Sequence, residues 1–533
     1  MTAVPAESRT TAGFLRFWAA VRPDHPALRC GNGIQLTYRE LDERSNRVAT
    51  ALAASGVRAG ERVAFLDKNS PEQIEIFFGA AKLGAVPCPV NFRLAPPEVA
   101  TVVVDSEAPI FFVGQEFAAG VDKVSSQLRG VAVVVMGAAD GHQQSGAGAH
   151  ADYSSWRDRH PAEDPGHSAE PADVAYQLYS SGTTGRPKGV QLTQANLSAA
   201  MDLYPAVMGL GADSVSLVAM PLYHIGGGGW ALAGFAQGAT NVLVRDLVPS
   251  ALVDLIVAEG ISHAFLVPAV LQFMLAVPGV ADRDFSALRA ILYGASPISE
   301  KVLAASIRTF GCSFVQAYGL TETTGTVVYL PADDHDPDGP RRHRLRAAGL
   351  PTPGTEVRIV DPAEGRDVAA GEVGEIWIKG PTVMKGYAKM PEQTAATIVE
   401  DGWLRTGDAG YRDADGYVYI HDRVKDMIVS GGENIYPAEV ENAIMSHPEV
   451  SDVAVIGVPD DKWGETPKAF VVKVTGSQLT GTDLLAWCRE RLAGFKCPTS
   501  VEWVEELPRN PSGKVLKKDL RAPYWEGRSR MVG

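Results

Sequence analysis

Residues Tyr179 to Val190 read YSSGTTGRPKGV, a run of small, hydroxyl-bearing and glycine residues that closes on Pro-Lys-Gly. Glycine lets the backbone approach an anion closely, and successive N–H groups form a nest for phosphate oxygens. Ser180, Ser181, Thr183 and Thr184 add hydroxyl donors, and Lys188 adds a cation. The chemistry this suits is the holding of a polyphosphate. It is not the Walker A loop G-x-x-x-x-G-K-[ST]. Gly182 and Gly185 stand too close together, and Lys188 is followed by Gly189 where that loop has a metal-binding hydroxyl. Taken alone, a polar surface turn has the same composition.

The loop is not alone. PLYHIGG (221–227), YGASP (293–297), YGLTET (318–323), GWLRTGD (402–408), DRVKDMIVSGGENIYPAEVE (422–441) and PRNPSGKVLKKDLR (508–521) follow it. In this order the seven stretches resemble the motifs of the adenylate-forming superfamily. That group comprises acyl-CoA synthetases, aryl-CoA ligases, peptide-synthetase adenylation domains and beetle luciferases. Departures are small: Ser180 stands where threonine is common, Ser296 where a small apolar residue is frequent, and FKCP (495–498) replaces a more usual tyrosine-lysine version.

The resemblance implies attack of a carboxylate on the α-phosphorus of ATP, a meeting of two anions. Catalysis then rests on charge neutralisation and in-line positioning. It implies that Ser181, Gly182, Thr183, Thr184, Gly185 and Lys188 steady the β- and γ-phosphates. Thr321 then contacts the α-phosphate, and Glu322 holds Mg²⁺, a hard cation suited to carboxylate oxygen. Tyr318, with Gly319, stacks on adenine beside the backbone of Gly294, Ala295 and Ser296. Asp408 and Arg423 hold the ribose. Lys514 bridges the substrate carboxylate and the α-phosphate, so catalysis falls on Lys514, Glu322, His224 and Thr184.

For the second half-reaction, thiol attack on the acyl-AMP, the family rotates its C-terminal domain about a hinge that aligns with Lys425. Ser430, Gly431 and Gly432 then line the pantetheine tunnel of CoA. His224, Gly226, Gly227 and Gly294 fall at the acyl pocket. For His224 two readings stand, a gate beside the acyl carbonyl or an ordinary core histidine. The run Gly226 to Gly229 either widens that pocket or permits close backbone packing.

The elements that must position these residues are legible in part. LTYRELDERSNRVATALAASG carries Leu41, Val48 and Leu52 at helical spacing and stops at Gly56. ERVAFLDKN reads as a buried strand. SPEQIEIFFGAAKLG reads as a helix with Ser70 as cap, Pro71 at its first position and Gln73 completing a capping box, and AVPCPVN as a short strand. Helix alternating with strand predicts mostly parallel sheet covered by helices. Residues 137–173, rich in Gly, Ala, His, Ser, Asp and Pro, read as a surface linker between two α/β lobes, with metal binding by His142, His150, His160 and His167 disfavoured. From about residue 350 the pattern turns to β, with a hairpin at Asp415-Gly416. The last hundred or so residues predict a β-α-β-β-α-β domain.

The fold class expected is therefore α/β. A large N-terminal domain (1–422) has two α/β lobes and a small β subdomain, and a small mobile α+β domain (423–533) follows. At 533 residues and 45% apolar, the chain has material for more than one core. Its 63 acidic against 49 basic residues, a net −14, argue against nucleic acid as a partner. Five scattered cysteines suggest neither a disulfide framework nor a zinc site. The N-terminus lacks the pattern of a signal peptide and no apolar run is long enough to span a bilayer, so a cytoplasmic protein is expected.

The function expected is an acyl-CoA synthetase using ATP, Mg²⁺ and CoA. A stand-alone adenylation enzyme loading a carrier protein in trans, or a ligase running mainly one half-reaction, is the alternative. A nucleotide-binding regulator without catalysis is disfavoured because Glu322, Asp408, Arg423 and Lys514 are all present, and a luciferase-like oxygenase is held remote. A homodimer is admitted, and the acid stays open among fatty, aryl and polycyclic kinds.

Overall fold

A computed structural model describes residues 4–31, 33–137, 150–181, 187–362, 364–423, 426–430, 433–460, 462–509 and 515–526, with the backbone alone at 181, 421–423, 433 and 434. Thr183, Thr184, Lys425, Gly431, Gly432 and Lys514 lie outside the described residues, as do Gly182 and Gly185.

The first lobe is a five-stranded parallel sheet in the order Val86–Pro89, Arg62–Leu66, Ile110–Gly114, Ala132–Met136, Ala151–Asp152. Its central strand is buried at every position, the pattern of a sheet covered on both faces. The helix Tyr38–Ala54 begins with a capping box between Thr37 and Glu40 and buries Leu41, Val48 and Leu52. It stops before Gly56, whose φ of 88° favours glycine. The helix Pro71–Leu83 does start after Ser70, but the capping box expected there does not form. Gln73 is buried and its Nε2 donates instead to the Asp67 carbonyl at 3.1 Å, so the strand end captures the amide the cap would need.

The linker reading of 137–173 needs correction. Residues 138–149 lie outside the described part, yet Ala151–Asp152 adds the fifth strand and Tyr153–Asp158 is a helix capped by Asp152. Tyr153 Oη donates to Glu75 Oε2 at 2.8 Å, and Arg157 Nη1 lies 2.7 Å from the same oxygen. Two helical turns are too short to display a period, and the buried carboxylate of Glu75 is what fixes them. His150 pairs with Asp122 at 2.8 Å, and no cluster of three metal-ligating groups exists among the described residues.

The second lobe is a nine-stranded sheet ordered Leu350–Pro351, Gly325–Leu330, Ser313–Leu320, Ala290–Gly294, His263–Leu266, Val215–Val218, Thr240–Leu243, Pro26–Cys30, Gln35–Thr37. The six strands from Ser313–Leu320 to Pro26–Cys30 run parallel, and the outer ones are antiparallel. The lobes meet at Asn69. Its Nδ2 donates to the carbonyls of Met220 and Val244 at 3.1 Å, and its Oδ1 accepts from Leu222 N at 3.0 Å.

Two antiparallel sheets complete the region before 424. One joins Glu356–Val360, Gly374–Lys379, Leu404–Arg412 and Val418–Arg423, turning at Gly416 as expected. The other joins Gly386–Tyr387, Pro187–Thr193 and Val174–Ser181. The C-terminal sheet holds Glu433–Ile435, Ile428–Ser430, Gly464–Lys473 and Val450–Asp460, with Ser500–Trp503 parallel to Gly464–Lys473. Helices Pro437–Met445 and Gly481–Arg489 close its core through Val440, Ile444 and Leu484. The short strand Glu433–Ile435 and the helix Lys517–Trp525 go beyond the expected order. Among the described residues no helix is long and apolar enough to cross a membrane, and all five cysteines are free thiols.

Candidate active site

The nucleotide side of the site is built where strands end. Ala290–Gly294 and Ser313–Leu320 run parallel with Gly294 beside Ala317. A Cβ at Gly294 would stand 2.1 Å from the Ala317 carbonyl oxygen, so only glycine lets the two backbones pass. Ala295 follows at φ 66°, a left-handed turn that swings Ala295 and Ser296 off the sheet.

Tyr318, near the end of its strand, is buried, and its hydroxyl donates to Asp408 Oδ2 at 2.9 Å. That bond ties the nine-stranded sheet to the β subdomain. Asp408 pairs in register with Arg423, whose side chain is not described. The Asp408 backbone is fixed in turn. Its N–H donates to Thr406 Oγ1 at 3.0 Å, and Thr406 Oγ1 donates to the Ile376 carbonyl at 2.7 Å. Buried Glu375 accepts from Gly407 N, Trp377 Nε1 and Arg405 Nε, all at 3.0–3.1 Å.

Gly319 approaches Gly325 so closely that a Cβ would lie 1.7 Å from the Gly325 carbonyl oxygen. Between them Thr321–Thr323 forms one 3-10 turn, closed by Thr323 Oγ1 accepting from Leu320 N at 2.8 Å. The turn presents Glu322, half-buried, whose Oε1 accepts from Tyr387 Oη at 2.9 Å. Lys188 Nζ stands 4.9 Å from the centre of the Tyr387 ring. Tyr387 pairs with Val190 across the three-stranded sheet, so that sheet delivers a phenol to the carboxylate and a cation to the face of that phenol. Its hairpin pairs Ser181 with Pro187 on either side of residues 182–186.

His224 precedes the helix Ile225–Ala236. Its Nε2 is buried without a hydrogen-bond partner, as is the hydroxyl of Tyr223, whose ring lies 4.4 Å from the imidazole. Burial, and then the charge of Arg93, lowers its pKa to about 4. A neutral imidazole with an unengaged buried nitrogen is more than an ordinary core histidine needs. Ile225 comes within 3.7 Å of where a Cβ at Gly325 would sit, so this helix start abuts the turn that carries Glu322. Ser430 is buried in the C-terminal sheet opposite Glu433 and Gly464.

The glycine run divides. A Cβ at Gly227 would meet the Pro221 carbonyl oxygen at 2.1 Å, and one at Gly228 the Leu222 carbonyl at 2.7 Å, so these two are required for packing. At Gly226 the neighbour is a side chain, Phe265, at 2.7 Å.

Tyr318, Asp408, Glu322, Lys188 and Gly294 thus come from three separate sheets and one 3-10 turn to one region. Sequence reasoning missed Tyr387 and Glu375. The stretch MKGYAK (384–389) offered Gly386 before an aromatic as a strand signal, while Glu375 inside GEIWIKG offered none.

His335, half-buried like His224, has partners on both ring nitrogens. Its Nδ1 meets the Pro331 carbonyl at 2.9 Å and its Nε2 the Tyr293 hydroxyl at 3.0 Å, and burial lowers its pKa to about 4. The unfolded chain binds a proton at the ordinary 6.5, so between pH 6.5 and 4 unfolding takes up protons. The stabilisation is complete above pH 6.5 and is lost as pH falls towards 4. Urea midpoints measured at pH 7.5 and 4.5 are expected to separate less for His335→Gln than for the unmodified chain. An unchanged separation would refute the assignment.

The strand ends of this mixed α/β body thus gather an aromatic, a buried aspartate, a glutamate and a lysine, groups suited to a nucleotide and its phosphates. The chain matches the family model described as AMP-binding enzyme over residues 15–388, and that described as AMP-binding enzyme C-terminal domain over 439–514. It belongs to the AMP-binding enzyme family and is an AMP-forming acid–thiol ligase that binds ATP. It is 42% identical over 524 residues to the fatty acid–[acyl-carrier-protein] ligase ScoC of Streptomyces coeruleorubidus, covering 97% of this chain and 96% of that one. It is 40% identical to a feruloyl-CoA synthase of an Amycolatopsis species, covering 95% and 97% respectively. ATP-bound MatB from Rhodopseudomonas palustris superposes with a TM-score of 0.87 at 29% identity, over 97% of this chain and 99% of that one.

Proposed function

We propose that this chain joins a carboxylic acid to AMP and then hands the acyl group to the thiol of CoA. In the first step a carboxylate oxygen forms a bond to the α-phosphorus of ATP and the bond to pyrophosphate breaks. In the second the thiol sulfur bonds to the acyl carbon, the thiol proton passes to solvent, and AMP leaves. The observation that carries this reading is the bridge from Tyr318 to Asp408. It sets an aromatic face beside a buried acceptor, which suits adenine next to a ribose diol.

Lys188 and the loop 181–185 bind the β- and γ-phosphates in this reading, Thr321 the α-phosphate, and Gly294, Ala295 and Ser296 edge the adenine. Glu322 fits Mg²⁺. It offers one half-buried carboxylate, and Mg²⁺ takes few protein ligands and keeps its phosphates and waters. When bound, the ion would offset phosphate charge. Lys514 neutralises the first step, and rotation about Lys425 brings Ser430, Gly431 and Gly432 to the thiol. The N-terminal and C-terminal domains are assigned to 1–422 and 423–533 on the same reading. His224 stands beside the acyl carbonyl as a neutral group.

A second reading, transfer to a carrier protein in trans, is supported by the 42% identity to an acyl-carrier-protein ligase. A panel of carboxylic acids assayed for pyrophosphate release, then for thioester formation with CoA and with a phosphopantetheinyl carrier protein, tests both. Acid-dependent pyrophosphate release followed by a CoA thioester is expected. A thioester on the carrier alone would overturn the first reading in favour of the second, and no acid-dependent release would overturn both.

A further inference from the structure

Gly226 stands apart from its glycine neighbours because what crowds it is an aromatic ring. A Cβ there would lie 2.7 Å from Phe265 Cε1 and 3.3 Å from its Cζ. The ring of Phe265 thus occupies the volume that a side chain at 226 would take, two residues from the unpartnered His224 Nε2. Behind it lies Trp230, one helical turn on, with ring centres 6.5 Å apart. Trp230 is pinned by its Nε1 donating to the Leu217 carbonyl at 3.0 Å and packs edge-on against Tyr204 at 5.6 Å. All three rings are buried. The opposite side of the same helix faces a small apolar cavity lined by Phe77, Tyr176, Gly228 and Phe235, but the helix backbone stands between it and Gly226.

We infer that Phe265, backed by Trp230 and Tyr204, closes the acyl pocket within one helical turn of His224 and restricts this enzyme to short-chain carboxylic acids. The inference rests on the ligase reading above and names its substrate class. Phe265 meets this helix at Gly226, two residues and so about 3 Å of helix rise from His224, and a chain running from His224 reaches the ring within a few carbons of its carboxyl. A longer chain has to displace a ring held by two others in a close-packed interior. The absent side chain at 226 therefore does not open the pocket; Phe265 has already filled the space.

The test is a series of straight-chain acids from acetate to palmitate, with benzoate and cinnamate, in acid-dependent pyrophosphate release. The intact enzyme is expected to prefer an acid of about six carbons or fewer, with octanoate at least tenfold lower in kcat/KM, since one methylene too many in a tight pocket costs about tenfold or more. Phe265→Ala is expected to raise octanoate at least tenfold and to move the preferred length up by two carbons or more. Phe265→Leu, which keeps apolar volume and so guards against misfolding, shifts it in the same direction by less. Equal use of octanoate, longer or aryl acids by the intact enzyme would overturn the inference. So would an unchanged profile in folded Phe265→Leu and Phe265→Ala that still turn over short acids. No pyrophosphate with any acid would overturn the ligase reading itself.

Discussion

Asp408→Ala is expected to lower kcat/KM for ATP in pyrophosphate release by about 10²–10³-fold. The carboxylate is buried and accepts from the Tyr318 hydroxyl at 2.9 Å. If it also accepts from ribose hydroxyls, truncation removes two or more hydrogen bonds to a charged group, each worth about 1.5–3 kcal/mol. It further takes an acceptor from a tyrosine hydroxyl in a buried setting. Asp408→Asn keeps the shape and one acceptor oxygen and should fall between the two. The effect belongs mainly in KM for ATP, because these bonds exist before and during the reaction alike. Isotope-exchange or pyrophosphate assays over an ATP titration check this. A folded Asp408→Ala enzyme with unaltered ATP dependence would remove Asp408 from the nucleotide site.

How that aspartate comes to be in place shows what the sequence conceals. The order of motifs along the chain is enough to name Tyr318 and Asp408, but not the bond between them, which joins residues 90 apart in sequence through two different sheets. Glu375 is less visible still. It lies inside an apolar strand, where an acidic residue reads as a solvent-facing position, and it is buried because three donors converge on it. Tyr387 is hidden for another reason. Its strand, Gly386–Tyr387, has two residues and no alternation to detect, and its place beside Glu322 and Lys188 comes from register with Val190.

Local rules do better where the cause is local. The helix Tyr38–Ala54 has its cap, its apolar spacing and its terminating glycine all within the segment. The box at Ser70 fails because Gln73 finds a partner outside the helix, the Asp67 carbonyl. The helix Tyr153–Asp158 escapes notice because its anchor, Glu75, lies in another element. In both of these helices the deciding contact is a polar group supplied from outside the helix. Apolar pattern predicts which face is inside, whereas a buried donor or acceptor selects one partner among many.

The same distinction bears on Lys514, which lies outside the described residues. The residues on either side are anchored: Arg509 bridges to Val515, Leu516 N donates to the Pro508 carbonyl at 2.7 Å, and Lys517 pairs with Glu441 at 2.9 Å. Lys514→Ala is expected to slow acyl-AMP formation by about 10²–10³-fold, the effect of removing one group aimed at charge in a transition state. Thioester formation from supplied acyl-AMP should stay within severalfold, because no second anion has to be brought to the α-phosphate in that step. Lys514→Arg keeps the charge but replaces a compact ammonium by a broad planar fork, so only partial recovery is expected. Single-turnover measurements of each half-reaction separate the outcomes. Equal losses in both steps would mean that Lys514 supports the C-terminal domain as a whole; a loss confined to the first step is what a cation placed between two anions requires.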